Sequence, residues 1–445
     1  MELLVHNNQE VQDMKRWLSR LFFLLLTPVV VFGVMGEAMA GKRVPIDGAG
    51  WPYPWKDTYS TWGPGNQEFD QKLFDQDVME SYGWKAKDVE EIKDMLPVSM
   101  YMILKDPDTW GPRRINVSEY IPPSGELWDK MKAATAKFKG TAKVDETGWI
   151  RNYTAGTPFP EPKNGQELMW NFKKRFHEDD RLLSVVTIIT NKGGQVRYQT
   201  SDGNLMFFDG RLVEGDKYKF EPNPQNYVRI DIYANAHPYE MQGTLSFIAQ
   251  FDDPSKQDIF WLYLPAMRRV RHLSPAQRTD RLPGGQDLMW ENFDTFNGNP
   301  TNYNFKMLGK KKMLVVHNGT PTGEWIEGKH LAGPNDYYQK IDVYVNELTP
   351  KDPDFPFSKI LHYTDPETYA AYYSEWFDKK GNPYIFSCFQ YAPSKSGLYI
   401  PVVMNHVDMQ AVHSTGYAAT NFKYNVGLTP AYFGVDNLKK EYPAR

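Results

Sequence analysis

The 445-residue chain has a single cysteine, Cys388, so no intrachain disulfide is available and stability must come from a packed core. Its setting, Phe386-Ser387-Cys388-Phe389, reads as a buried strand and not as an activated thiol. Metal frames are missing as well. The nine histidines fall in no HExxH pattern, and His406 and His413 lie seven apart in a stretch that is not clearly helical. His177-Glu178-Asp179-Asp180 offers ligand types, but it reads as a solvated turn or helix end. There is no GxSxG elbow, no GxGxxG and no GxxxxGK[ST] loop. These gaps leave no catalytic residue, metal or cofactor to assign, and the expectation is a protein that is not an enzyme. Charge of one sign is also lacking. With 51 basic and 55 acidic residues the net charge is −4, which argues against nucleic acid as the main partner.

Apolar runs of membrane-spanning length are absent after residue 40, and what precedes it has the pattern of an export signal. Lys15, Arg16 and Arg20 form a basic segment, Leu21 to Gly36 is almost unbroken apolar sequence, and Ala38-Met39-Ala40 is a small-x-small cleavage site. The expectation is a signal peptide over 1–40, cleaved after Ala40, which sends the mature chain to the periplasm. Translation could start at Met1 or at Met14. No cysteine stands at the cleavage site, so the protein is not expected to be a lipoprotein itself.

Aromatic residues are plentiful. At 15% of the chain, with 27 Tyr and 13 Trp, they favour a β-rich protein with amphipathic surfaces. Residues 41–145 read as an irregular, partly helical extension. Trp51-Pro52-Tyr53-Pro54-Trp55 can be neither helix nor central strand. Helices are predicted from Ala86 to Leu96, before Pro97, and from a Ser124 cap through Phe138, with Leu127, Met131, Ala134 and Phe138 on one face. From 146 to 445 strands and turns dominate. Asn164 with Glu167 predicts a capped short helix. Leu182 to Thr190 reads as a buried strand. Val228, Ile230 and Ile232 alternate with Arg229 and Asp231, and Leu245, Phe247, Ala249 and Phe251 share one side of the next strand. Tyr372–Phe377 and Tyr384–Gln390 flank Asp378-Lys379-Lys380-Gly381-Asn382 as a hairpin. Lys310-Lys311-Lys312 is assigned to a hairpin turn. Short turns between strands imply an antiparallel sheet in a mainly β (α+β) fold.

The run Trp261-Leu-Tyr-Leu-Pro-Ala-Met-Arg-Arg-Val-Arg271 stands out. Trp261 and Tyr263 would share one strand face, Leu262 and Leu264 the other, before three arginines within four positions, Arg268, Arg269 and Arg271. Guanidinium groups bind carboxylate or phosphate bidentately, so these five residues are candidates for contact with an acidic amphiphile or a partner protein. An ordinary solvated strand end fits the same residues about equally well.

The same run, with Asn152-Tyr-Thr-Ala-Gly-Thr-Pro-Phe-Pro160, Met169-Trp-Asn-Phe172, Gly284-Gly-Gln-Asp287 and Tyr363-Thr-Asp-Pro-Glu-Thr-Tyr369, resembles an uncharacterised bacterial family of outer-membrane-lipoprotein-sorting-like proteins in the LolA/LolB superfamily. The resemblance spans about 146–445. It implies a strongly curved antiparallel sheet, an open half-barrel, with helices on the concave side. It also implies a periplasmic carrier or chaperone of lipid, lipoprotein or another hydrophobic molecule. The alternative is a non-catalytic accessory protein of an envelope transporter, with an inner-membrane efflux-type exporter and an outer-membrane protein as partners. His272 stands where the family often carries a further arginine.

Overall fold

The computed structural model describes residues 69–437, except 70, 74–75, 84, 112, 320–335 and 435. The expected signal peptide and the Trp51–Trp55 stretch lie outside the described residues. Two short strands come first, β1 (Glu80–Tyr82) and β2 (Ile115–Val117), with helices α1 (Ala86–Ile92), α2 (Val98–Lys105) and α3 (Pro107–Trp110) between them. Next come α4 (Glu126–Phe138), the small pair β3 (Lys143–Val144) and β4 (Ile150–Arg151), and α5 (Gly165–Lys173). Six strands follow: β5 (Asp180–Thr190), β6 (Val196–Phe207), β7 (Tyr227–His237), β8 (Leu245–Phe251), β9 (Ile259–Leu264) and β10 (Arg269–His272). After a long connection come β11 (Tyr303–Val315), β12 (Tyr337–Pro350), β13 (Lys359–Thr364), β14 (Ala371–Phe377), β15 (Pro383–Pro393), β16 (Tyr399–Asp408) and β17 (His413–Tyr424).

One open sheet, antiparallel except where β2 runs parallel to β12, contains nearly all of these strands. β5 to β10 form one meander and β11 to β17 another, and the two are joined where β17 pairs with β5, as in Gly416 opposite Ile188. The long-strand edges are therefore β10 and β11, which are consecutive in the chain. Residues 273–302 link them by crossing one face of the sheet. The Ser374 hydroxyl donates to the Thr295 carbonyl at 2.9 Å, and the Asp287 amide donates to the Thr415 hydroxyl at 2.8 Å. Residues from β9 and β15, far apart in strand order, line one cavity on this face, so the sheet curves around it as an open half-barrel.

Each half of the sheet is covered for a local reason. On the inner face α5 lays Met169 and Phe172 into a cluster with Phe296, Leu348, Ile360 and Trp376, all close to fully buried. Asn164 starts this helix as expected, accepting the Gln166 and Glu167 amides at 3.0 Å. On the outer face α1 and α2 bury Val89, Ile92, Met100 and Ile103 against Met313, Val315 and Tyr373. Glu375 fixes this docking. Its fully buried carboxylate accepts the amide and hydroxyl of Ser99 at 2.7 and 2.8 Å, in the first turn of α2. Leu428, Tyr432 and Phe433 cover the outer face of β6–β9, while Asp180 receives the amides of Val426, Gly427 and Leu428 at 2.7, 3.1 and 3.2 Å.

Several expectations need correction. Residues 80–117 are not irregular but hold α1–α3 and two strands, with α2 following directly on Pro97. Ser124 does not cap α4. The helix starts at Glu126 after Gly125, and the Leu127 amide donates to the Ser396 carbonyl at 2.8 Å. Gly125 itself has φ 126°, and a Cβ there would meet the Ser396–Gly397 backbone at 2.5–2.6 Å. Lys310–Lys312 lies within β11, opposite Tyr344, Val343 and Asp342. Glu178, Asp179 and Asp180 are buried and do not form a solvated turn, because Asp179 and Asp180 anchor neighbouring loops.

Candidate ligand cavity

The cavity of about 180 Å³ lies between the inner face and the crossing segment. Its walls come from alternate residues of β5, β7, β8 and β9, the inward face that the pleat dictates. Leu183, Val185, Ile248 and Leu262 give it apolar sides, and Leu288 and Phe293 of the crossing segment roof it. Trp290 lines this cavity and also a second cleft of about 860 Å³, which opens where Ser274–Thr279 faces Asn299–Tyr303 and Pro350–Pro356. The Trp290 indole N–H is buried without a hydrogen-bond acceptor among the described residues.

The alternation read in β7 is present, and the packing around it decides which face looks inward. Ile230 and Ile232 face the outer cluster under Phe433, and Arg229 and Asp231 face inward. β8 does the same, sending Leu245 and Ala249 outward and Ser246 and Ile248 to the cavity. The more polar face of these strands is thus the cavity face, because the C-terminal segment supplies a second core behind it.

At one end of the cavity four cations gather, Lys173, Arg175, Arg181 and Arg229. Arg229 Nε donates to both Asp231 oxygens at 2.9 and 2.8 Å. Arg175 pairs with Asp294, and Arg181 lies 2.9 Å from Glu178. Aromatic rings fix the guanidinium planes. Arg175 sits 4.5 Å from the Phe172 centroid, and Arg229 lies 5.9 and 5.8 Å from Phe207 and Phe293. Burial would raise the Asp294 carboxyl, but Arg175 beside it, with Arg229 and Arg181, holds it below the usual carboxylate range. Asp294 and Thr295 both adopt left-handed backbone, φ 57° and 69°, which costs a non-glycine residue about 1–2 kcal/mol. His177 stacks on Phe207 at 3.4 Å, and burial lowers it to about 3, so its ring is neutral near pH 7.

The candidates predicted from sequence fall elsewhere. Trp261 stacks on Phe247 at 4.9 Å in the outer cluster, and Tyr263 packs against the same cluster. The run is a hairpin: β9, a turn at Pro265–Met267 closed by Arg268 with φ 51°, and the exposed edge strand β10. Arg269 and Arg271 pair with Leu264 and Leu262, so they share the cavity-side face of the edge, whereas Trp261 and Tyr263 lie on the opposite face. None of the three arginines makes an ion pair among the described residues. Sequence reasoning missed the inner cations, and the signal available was the Arg229-x-Asp231 pair in a strand flanked by apolar neighbours.

Fold and cavity define a half-barrel that encloses an apolar space with a charged end. The chain belongs to the DUF1329 family, described as a protein of unknown function, whose model matches residues 85–439. That match takes in α1–α4, which precede the resemblance read from the sequence. A curated relative, an uncharacterized protein of Pseudomonas aeruginosa, is 25% identical over 391 residues, covering 78% of this chain and 79% of its own length. Among solved structures, a DUF1329 family protein from Desulfovibrio piger matches at 19% identity and TM-score 0.46, covering 62% of this chain and 97% of its own. A LolA superfamily protein from Nitrosomonas europaea matches at 15% identity and TM-score 0.40, covering 62% and 99%. Among the described residues no helix is long and apolar enough to cross a membrane, and no His, Cys, Asp and Glu cluster could hold a metal.

Proposed function

We propose that the protein is a periplasmic carrier that holds a hydrophobic molecule in the inner-face cavity. The observation that carries this reading is the apolar lining of Leu183, Val185, Ile248 and Leu262 beneath a roof that the chain lays across the open side. A pocket of this kind binds by burial alone, at about 0.8 kcal/mol per methylene. An apolar cavity of roughly 150 Å³ takes a benzene-sized ligand. The cavity therefore suits a tail of modest length, and a longer chain would extend beyond it.

The test is uptake of a fluorescent long-chain probe by the purified mature protein, beside extraction of any lipid that co-purifies from the periplasm. Uptake is expected, with loss in Val185→Trp, which fills the cavity. Failure to bind any alkyl probe, with nothing co-purified, defeats the carrier reading. A second reading, docking to an envelope transporter, is favoured by Arg268, Arg269 and Arg271 on the edge hairpin, exposed and without an ion pair among the described residues. Under it, charge reversal at Arg268 and Arg271 removes a partner from envelope pull-downs and leaves probe uptake intact.

A further inference from the structure

The charged end of the cavity is nearly balanced, and the imbalance is specific. Three cations have a carboxylate of their own: Arg175 has Asp294, Arg181 has Glu178 and Arg229 has Asp231. The fourth, Lys173, has none within 4 Å among the described residues, and its only hydrogen bond there is to Asn297 Oδ1 at 3.4 Å, longer than a strong charged contact. Asp258 and Asp294 face it from further away, while Arg229 and Arg278 oppose its charge. Lys173 is half-buried, and even partial removal of an ammonium from water without a counter-charge is unfavourable. A small core side chain would avoid that cost at the last residue of a nine-residue helix.

The neighbouring groups also suit an anion. The Arg181 Nε–H is buried with no acceptor among the described residues, and it points to unused donor capacity in the same cluster. A smaller cavity of about 70 Å³ adjoins the first and shares Lys173, Arg175, His177, Phe207, Arg229 and Asp294 with it. The cations therefore stand where the two compartments meet. Burial lowers the Lys173 ammonium to about 8, as expected of a cation whose counter-charge is missing.

We propose that the ligand is an amphiphile with an anionic carboxylate or phosphate head, seated inward on Lys173 beside Arg175 and Arg229, with its tail along Leu183, Val185 and Leu262. This rests on the carrier reading and adds to it the charge and orientation of the cargo. It also places head recognition inside the cavity and not at the edge-strand arginines. Arg175 and Arg229 are pre-oriented by their carboxylates and aromatic neighbours, so they add field and second contacts. Lys173 supplies the free charge.

The experiment compares, on the purified mature chain, dodecanoic acid, 1-dodecanol and lysophosphatidic acid of the same chain length, by displacement of a neutral alkyl fluorophore at pH 7. The acid, the lysophosphatidate or both are expected to bind about tenfold or more tightly than the alcohol, the scale of one charge-assisted hydrogen bond in a dry site. Which of the two is preferred separates a carboxylate head from a phosphate head. Lys173→Met is expected to erase the preference by weakening the acid and the lysophosphatidate more than dodecanol, and Lys173→Arg to retain it. Thermal melts confirm that each variant is folded. Equal binding of acid and alcohol overturns the head-group assignment and leaves the carrier reading standing. Binding of none of the three overturns both. An acid preference that survives in Lys173→Met overturns the role of Lys173.

Discussion

Asp287 fastens the crossing segment to the sheet, and its removal should loosen the cavity roof at a measurable cost. Its carboxylate is fully buried. It accepts from Thr415 Oγ1 at 2.8 Å, lies 2.6 Å from His413 Nδ1 and pairs with Arg281. Breaking one side of a buried charged pair typically costs about 3–5 kcal/mol. Here the cost falls at the lower end, since Arg281 keeps Asp408 as a partner and is partly exposed. Asp287→Ala should therefore lose about 3 kcal/mol. At roughly 2.1 cal/mol/K of unfolding entropy per residue, a folded region this long shifts by about 1.3 °C per kcal/mol, so Tm should fall by about 4 °C. Differential scanning calorimetry reads the shift, and stopped-flow displacement reads probe release, which should quicken because Leu282, Leu288 and Trp290 flank this anchor. A Tm within 1 °C of the parent together with unchanged release would refute the anchoring argument.

Three further outcomes follow from the same contacts. Asp231→Leu alone should cost about 3–5 kcal/mol by stranding Arg229, whereas Arg229→Met with Asp231→Leu should be close to neutral in urea denaturation. A double variant no better than the single one would mean the pair is not self-contained. Lys173 is held at about 8 in the folded chain against 10.5 unfolded, so above pH 8 the unfolded state binds more protons and stability should rise with pH until about 10.5. Lys173→Met should flatten that slope, and acid-ligand affinity should fall over the same rise in pH. Glu375→Ala should cost about 2–3 kcal/mol, because Ser99 and the Tyr363 hydroxyl, 2.6 Å away, both lose their acceptor. Limited proteolysis should then cut near α1 and α2 first.

Much of the sheet was legible because strand alternation is a local signal. The β14–β15 hairpin, the Asn164 cap and the opposed faces of β7 and β9 all stand where the sequence put them. Which face looks inward was not local. In β7 and β8 it depends on Leu428 and Phe433, remote in sequence, covering the apolar side. For the same reason Lys173, Arg175, Arg181 and Arg229, scattered over 57 positions, could not be seen as one group. Two of them, Arg181 and Arg229, also stand within three positions of their carboxylates, which makes them read as ordinary local salt bridges. The arginine run drew notice because it is contiguous, and contiguity is also what an edge strand needs to deter pairing with another sheet.

The seam between β17 and β5 bears on how the chain folds. Ser414 meets Thr190 across more than two hundred residues of intervening chain. Until β17 emerges, β5 presents an open edge with the apolar run Val185, Val186, Ile188 and Ile189 behind it. The six-strand meander is therefore a sticky half-molecule until the C-terminal strands join it. A chain stopped just short of His413 should aggregate where the complete one folds, which makes this seam the step at which a folding helper would matter.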